Sequence, residues 1–353
     1  MFSISTDILI IGAGPGGLAC AKVLAEQGRH VLVLERRKEI GPKVCAGGIT
    51  WDGLLRLVPE ALIERSFCEQ HIVSSCQKTV VREKNPIIAT INRTVLGQWM
   101  AEQAVQAGAE IITDIKVRSI DGLRVMTETG NGECKTFTCT QLVGADGANS
   151  LVRQYLGIPA EDRGPGINFQ VPRSAEQMEW HLSARAFGCG YAWIFPHKNT
   201  VSVGAYSPQS DMSAGRLKRN LLRWADGRGF QLKDLPCQAA LINYDYRGYQ
   251  FGPVWLVGDA AGLASGLTGE GIYPAVVSGK TVARRILDPQ SSDNAITDMV
   301  KKQAQHRRVI NLTARHPACS FLLTELLLLL LRCKLLGFHA LEMAPAPRSA
   351  TEP

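Results

Sequence analysis

Ile8-Leu9-Ile10-Ile11-Gly12-Ala13-Gly14-Pro15-Gly16-Gly17 is the stretch on which the fold turns. Its first four residues are continuously apolar, as in a strand of a parallel sheet buried on both faces. Gly12, Gly14 and Gly17 then fit G-x-G-x-x-G. The first glycine turns the chain tightly, the second lets backbone approach a pyrophosphate, and the third lets helix and strand pack closely. Leu18 to Gln27 reads as the following helix, with Gly28 as its terminating residue. The start of that helix offers free N–H groups and a positive dipole end to an anion. His30 to Leu34 is a second apolar strand, and Glu35 follows it where an acid accepts from a ribose hydroxyl. This is a complete βαβ unit at the N-terminus. The bland alternative is a tight turn that binds nothing, and the acid alone leaves FAD and NAD both open.

Two later segments bear on that choice. Gly144-Ala145-Asp146-Gly147-Ala148-Asn149-Ser150-Leu151-Val152-Arg153 follows the apolar Leu142-Val143, and Gly258-Asp259-Ala260-Ala261-Gly262 follows Val254-Trp255-Leu256-Val257. Each sets a carboxylate and close-approach glycines at the carboxyl end of a strand, where ligands sit in such sheets. Gly269-Glu270-Gly271-Ile272 opens a helix expected from Ile272 to Leu287. Its positive end suits a flavin N1–C2=O region, which is negative when reduced. These features favour FAD.

Between them, Val95 to Gly108 reads as a helix, and Glu110-Ile111-Ile112 and Val117 as strand residues. Residues 165–245 are rich in β formers and aromatics, with one helix from Ala214 to Gly227, and read as a separate sheet. The expected class is α/β (α+β overall). A Rossmann-like FAD-binding domain, residues 1–75, 92–160 and 248–290, interleaves with a mainly antiparallel substrate domain. That domain takes strands from 76–91 and the sheet of 161–247. Residues 291–353 form C-terminal helices, with a frayed tail from Pro345 to Pro353.

Bulk properties agree with a folded two-domain protein. The chain has 353 residues, 45% hydrophobic and 20% charged. Lys plus Arg exceed Asp plus Glu by 39 − 32 = +7, which favours anionic partners. No Lys/Arg block interleaved with aromatics occurs, so nucleic acid is not an expected partner. The ten cysteines form no C-x-x-C pair, and the Cys134/Cys139 spacing fits no zinc pattern, so no metal is expected. The start runs straight into a strand without a signal-peptide pattern, pointing to a cytoplasmic protein with reduced thiols. The N-x-T matches at Asn92 and Asn311 are then fortuitous. Phe321 to Leu331 is apolar except for Thr324 and Glu325, and Arg332 and Lys334 follow. It is shorter than the ~20 apolar residues a membrane-crossing helix needs. It reads as a buried helix or, alternatively, as a membrane-surface helix anchored by the two cations.

The three nucleotide-binding segments together resemble flavoproteins of the para-hydroxybenzoate hydroxylase fold. That group includes class A monooxygenases, flavin halogenases and the geranylgeranyl reductase family. Two further stretches resemble the reductase branch. Pro42-Lys43-Val44-Cys45-Ala46-Gly47-Gly48 is similar to its cysteine–glycine segment beside the flavin. Tyr191-Ala192-Trp193-Ile194-Phe195-Pro196, followed by Val203-Gly204, is similar to its (Y/F)-x-W-x-F-P motif, which lines a lipid pocket. Alternating Tyr191, Trp193 and Phe195 share one strand face, so they form either a wall for an isoprenoid chain or ordinary sheet core. A flavin halogenase would carry W-x-W-x-I-P, from which Tyr191 and Phe195 depart, and an aromatic hydroxylase would lack the Cys45–Gly48 segment. The C-terminal part is short beside the family's.

The resemblance implies FAD on Gly12, Ala13, Gly14, Pro15, Gly16, Gly17, Glu35 and Arg36, and on Cys45, Ala46 and Gly47. It adds Arg93, Val117, Asp146, Gly147, Gly258, Asp259, Gly269, Gly271 and Ile272. Asp259 would serve the pyrophosphate–ribityl region, and Asp146-Gly147 would serve FAD and transient NAD(P)H. Arg93 is otherwise a solvated surface residue. Gly48, Tyr191, Trp193, Phe195 and Pro196 would meet substrate. Cys45 and Tyr191 are the catalytic candidates, with His197 a further proton-donor candidate or merely a turn residue. The implied activity is hydride transfer from reduced flavin to isolated C=C bonds of a prenyl lipid. The chain has no second strand–GxGxxG–helix unit, so electrons come from NAD(P)H docking at the flavin or from a protein donor such as reduced ferredoxin. The rival readings are a flavin monooxygenase or halogenase acting on an aromatic substrate, and a non-catalytic FAD- or lipid-binding protein.

Overall fold

A computed structural model describes residues 3–51, 53, 58–208, 212–315 and 317–344. The expected C-terminal tail, 345–353, lies outside the described residues. The first sheet has eight strands. Its spine is parallel and runs β8 (Glu110–Ile112), β2 (Val31–Leu34), β1 (Ser3–Ile11), β11 (Cys134–Gly144), β18 (Val254–Leu256). β17 (Gln250–Phe251) closes one edge antiparallel. The hairpin β9 (Ile115–Asp121) and β10 (Arg124–Thr129) extends the long β11. Ile8 to Ile11 are buried throughout, as their unbroken apolar run requires.

Helices cover both faces of this sheet. On one face lie α1 (Pro15–Ala25), α2 (Arg93–Gln106) and part of α7 (Ile272–Leu287), packed through Leu18, Leu24, Leu96, Met100 and Val276. On the other lie α3 (Leu151–Tyr155), α6 (Gly258–Ala261) and the start of α8 (Asn294–Arg315). The helices occur where the sequence places them, within a few residues at each end.

The second sheet has seven strands in the order β16 (Gln238–Asn243), β12 (Arg163–Val171), β15 (Val201–Tyr206), β14 (Tyr191–Pro196), β13 (Glu179–His181), β5 (Glu69–Val73), β6 (Lys78–Arg82). Every pairing is antiparallel except β13 with β5. The chain therefore enters this sheet at Glu69, upstream of residue 76. The signal is hidden because buried Gln70 and His71 break the apolar pattern of β5. Between the two large sheets sits a small one, β3 (Gly48–Thr50), β7 (Ile88–Ile91) and β4 (Ile63–Phe67). One side of the second sheet packs on α5 (Ala214–Asp226) through Ile194, Val203 and Leu217. The other side carries the aromatic cluster Phe67, Trp193, Phe195 and Tyr206 and faces the first sheet's carboxyl ends.

The leucine run forms most of α9 (Pro317–Arg332). It is neither wholly buried nor membrane-crossing. Leu328 and Leu331 pack on Ile72 of the second sheet, whereas Leu322, Leu326 and Leu329 are exposed. Glu325, which interrupts the run, anchors the helix by accepting from Ser74 Oγ at 2.9 Å and Gln77 Nε2 at 2.8 Å. Among the described residues, no helix is long and apolar enough to cross a membrane. All ten cysteines are free thiols.

Candidate cofactor and substrate site

The glycine loop is built as a phosphate cradle. Gly12 adopts φ +106°, and a Cβ there would lie 2.5 Å from the Ala145 carbonyl oxygen. Gly17 abuts the loop so closely that a Cβ would sit 2.1 Å from Gly12 O. Gly14 differs: the nearest atom to a Cβ would be Ala145 O at 3.9 Å, so the space beside it is open. Gly14 is also the N-cap of α1, with Pro15 next and no side chain capping the first turn. That leaves backbone N–H groups facing the cleft for an anion.

Glu35 reaches across the end of β2. Its two oxygens accept from Ala13 N and Arg37 N, each at 2.9 Å, and the residue lines the cleft with acceptor capacity to spare. Gly12, Ala13, Arg36, Val117, Asp146 and Gly147 line the same cleft. Asp146 Oδ2 accepts from Leu151 N at 2.6 Å and caps α3, while its Oδ1 is buried without a partner. Burial pushes this carboxyl up against the pull of its hydrogen bonds from Ser150 and backbone. Arg93 is not a solvated surface residue: Nε and Nη1 are buried and unpartnered at the cleft wall. Unpartnered buried donors and acceptors of this kind mark a site shaped for a polar ligand.

A second cavity adjoins the first, sharing Gly14, Pro15, Lys43, Val44 and Arg93. One wall holds Asp259, Gly269, Gly271 and Ile272 at the start of α7. Lys43 Nζ pairs with Asp259 Oδ2 at 3.1 Å. Tyr191, Trp193, Phe195, Ile88 and Ile242 also line this cavity, together with Cys45, Ala46 and Gly48. The period of two in β14 divides its side chains: Tyr191, Trp193 and Phe195 turn to the cavity, and Ala192 and Ile194 to α5. Wall and core are thus not exclusive alternatives.

Hydrogen bonds hold the wall in place. Trp193 Nε1 donates to Ser202 Oγ at 2.9 Å, Ser202 Oγ to Asn168 Oδ1 at 2.7 Å, and Asn168 Nδ2 to the Cys45 carbonyl at 3.3 Å. Tyr191 Oη donates to Thr268 O at 2.5 Å, and burial pushes that hydroxyl's pKa up. Cys45 Sγ accepts from Gly47 N at 3.3 Å. Pro196 does not line this cavity; its carbonyl accepts from Thr90 Oγ1. His197 also lies outside it, with Nδ1 2.5 Å from Glu64 Oε2 and Nε2 2.9 Å from Ala46 O. It braces the cysteine–glycine segment and has no free nitrogen to offer substrate.

Sequence reasoning passed over Glu270 as a site residue. It lines the aromatic cavity, accepts from Met343 N at 2.8 Å through Oε2, and leaves Oε1 buried and unpartnered. Two flanking glycines and a following helix were the signal. The enclosing segment around Met343 is remote in sequence and gave none.

The open space at Gly14, the accepting Glu35 and the unpartnered Arg93 fit a dinucleotide, and the apolar extension beside α7 fits a flavin ring. These features define a flavin-dependent oxidoreductase. The family model described as "FAD binding domain" matches residues 5–287, and the chain belongs to that family. A digeranylgeranylglycerophospholipid reductase of Methanosphaera stadtmanae is 28% identical to it over 86% of this chain and 84% of its own. The fold matches a geranylgeranyl bacteriochlorophyll reductase-like protein of Thermoplasma acidophilum with a TM-score of 0.72 at 21% identity, over 95% of this chain and 90% of that one. It also matches a myxobacterial FAD-dependent halogenase, with a TM-score of 0.62 at 17% identity over 86% and 80% of the two chains.

Proposed function

We propose that this protein is an FAD-dependent reductase that saturates isolated C=C bonds of a prenyl lipid. The observation that carries the reading is the apolar cavity walled by Tyr191, Trp193 and Phe195, which opens directly from the nucleotide cleft. A polyprenyl chain has no polar group with which to be oriented, so shape and aromatic surface must hold it. The same aromatic faces favour the positive charge that develops when an unactivated alkene is protonated. Bound and reduced, FAD would supply hydride; the protein's part is to place the alkene and exclude water.

Gly12 to Gly17, Glu35, Arg93 and Asp259 would hold FAD, and Cys45 to Gly48 would separate it from the lipid. The name of the Methanosphaera relative supports a prenylated glycerophospholipid as the substrate class. Among the described residues there is one strand–GxGxxG–helix unit, so electrons would arrive from NAD(P)H docking at the cleft or from reduced ferredoxin. The exposed Leu322, Leu326 and Leu329, followed by Arg332 and Lys334, would rest on a membrane from which the lipid is drawn.

The test uses the FAD-loaded protein bleached by dithionite under anaerobic conditions. Addition of a digeranylgeranyl glycerophospholipid in micelles is expected to restore the oxidised flavin spectrum. Failure to do so, with reoxidation only by oxygen in the presence of an aromatic substrate, would favour the oxygenase or halogenase reading.

A further inference from the structure

Reduction of an isolated alkene needs a proton as well as a hydride, and the cavity wall offers few groups able to give one. Tyr191 Oη already donates to Thr268 O, and Tyr206 Oη donates to Gly266 O at 2.9 Å. Burial raises the pKa of both hydroxyls, making them weaker acids. Asp259 is ion-paired with Lys43. Both His197 nitrogens are engaged elsewhere. Glu270 is placed differently. Met343 N occupies Oε2, so a proton carried by the group resides on Oε1, which is buried and meets no acceptor.

We infer that the Glu270 carboxylic acid gives its Oε1 proton to the prenyl double bond. The inference rests on the reductase reading. As the π bond breaks, one alkene carbon would take the hydride that bound, reduced FAD supplies in becoming oxidised, and the other takes the proton from Glu270 Oε1. Two C–H bonds form, and the resulting carboxylate recovers its proton from water. Its charged surroundings are Glu342 on the C-terminal segment and Lys302 on α8, with Asp259 and Tyr191 lining the same cavity. Burial pushes the carboxyl up to about 7; Glu342 adds to the rise, while the Met343 N–H and Lys302 oppose it. An acid poised near working pH is the most effective donor.

The experiment compares wild type, Glu270→Gln and Glu342→Gln. The apoproteins are followed by infrared spectroscopy across pH for a protonated-carboxyl band. The FAD-loaded, dithionite-reduced proteins are followed for anaerobic reoxidation by a digeranylgeranyl glycerophospholipid. Wild type is expected to show a band that titrates near neutrality, and a lipid reoxidation rate that falls as pH rises through the same midpoint. Glu270→Gln should lose that band, still bind FAD and reoxidise in air, yet slow lipid reoxidation by on the order of 100-fold or more. Glu342→Gln should lower both midpoints together, a shift that a merely structural role for Glu270 would not produce. Its measurement does not depend on Glu270→Gln folding. Wild-type lipid rates in Glu270→Gln, or midpoints unmoved in Glu342→Gln, overturn the inference and leave the reductase reading standing. No lipid reoxidation by wild type overturns both.

Discussion

Replacing Gly14 by alanine separates cofactor binding from folding. The backbone at Gly14 is extended, φ −78° and ψ 175°, a conformation any residue adopts. The added Cβ would have only Ala145 O for a neighbour, at the ordinary contact distance of 3.9 Å. Alanine is a poorer N-cap than glycine, so the apoprotein should lose only about 0.5 kcal/mol. The methyl would, however, fill the space through which a pyrophosphate approaches the N–H groups at the start of α1. Charge-assisted hydrogen bonds are worth ~1.5–3 kcal/mol each. Loss of one therefore weakens FAD binding by roughly 10- to 100-fold. Flavin-fluorescence titration of the apoprotein measures the affinity, and urea unfolding of the same preparation measures stability. Gly17→Ala is the contrasting variant. Its Cβ would lie 2.1 Å from Gly12 O, about 1 Å inside any tolerable contact, so it should cost the apoprotein ~1–3 kcal/mol as the helix is forced off the loop. If Gly14→Ala binds FAD as tightly as wild type, the backbone there does not approach the pyrophosphate and the reading of the loop is wrong.

Other consequences concern the scaffold and surface. Arg153, 2% exposed in its side chain, donates to the carbonyls of Pro159, Ala260 and Asp245 and faces the fully buried Asp245 carboxylate at 3.7 Å. Arg153→Ala should destabilise the fold in urea unfolding, by ~1–3 kcal/mol for each buried carbonyl left without its donor, while Asp245 keeps its pairing with Arg247. Burial alone would raise the Asp245 pKa, but hydrogen bonds from Arg247 and from Glu161 N, with the charges of Arg247 and Arg153, hold it below the usual carboxylate range. Its stabilisation is then present above the unfolded-state pKa and lost as pH falls through the folded one, so Asp245→Asn should flatten the acid limb of the stability–pH curve. Substituting serine for exposed Leu322, Leu326 and Leu329 should leave unfolding within about 0.5 kcal/mol per site while abolishing sedimentation with anionic vesicles. Unchanged sedimentation would exclude this face as the membrane contact.

The parts of the site legible in sequence were those fixed by local chain geometry. Gly12 to Gly17 need a tight turn and close approach within one βαβ unit, and the period of two in Tyr191 to Phe195 assigns those rings to one face. Arg93 and Cys45 were found by resemblance, and Asp259 by its place after a buried strand as well; they come together because β7 and β18 end, and β3 begins, beside the same cleft. Long-range pairing was not legible. The role of His197 depends on Glu64, 133 residues away in sequence, which converts an apparent turn residue into a brace. Glu270 owes its enclosure to Met343 and Glu342 on a segment that no local pattern links to it. The leucine run was ambiguous for a related reason. Whether a leucine is buried depends on which face of α9 meets Ile72, and Glu325, read as an interruption, is what fixes that face.

The central claim is tested most directly by the mass of the lipid after turnover. Protein loaded with FAD, supplied with excess dithionite and a digeranylgeranyl glycerophospholipid without oxygen, should yield products heavier by two hydrogen masses for each double bond reduced. Unchanged lipid under these conditions, with a product one oxygen atom heavier, or with a halogen in place of a hydrogen, appearing only in air, would contradict the account.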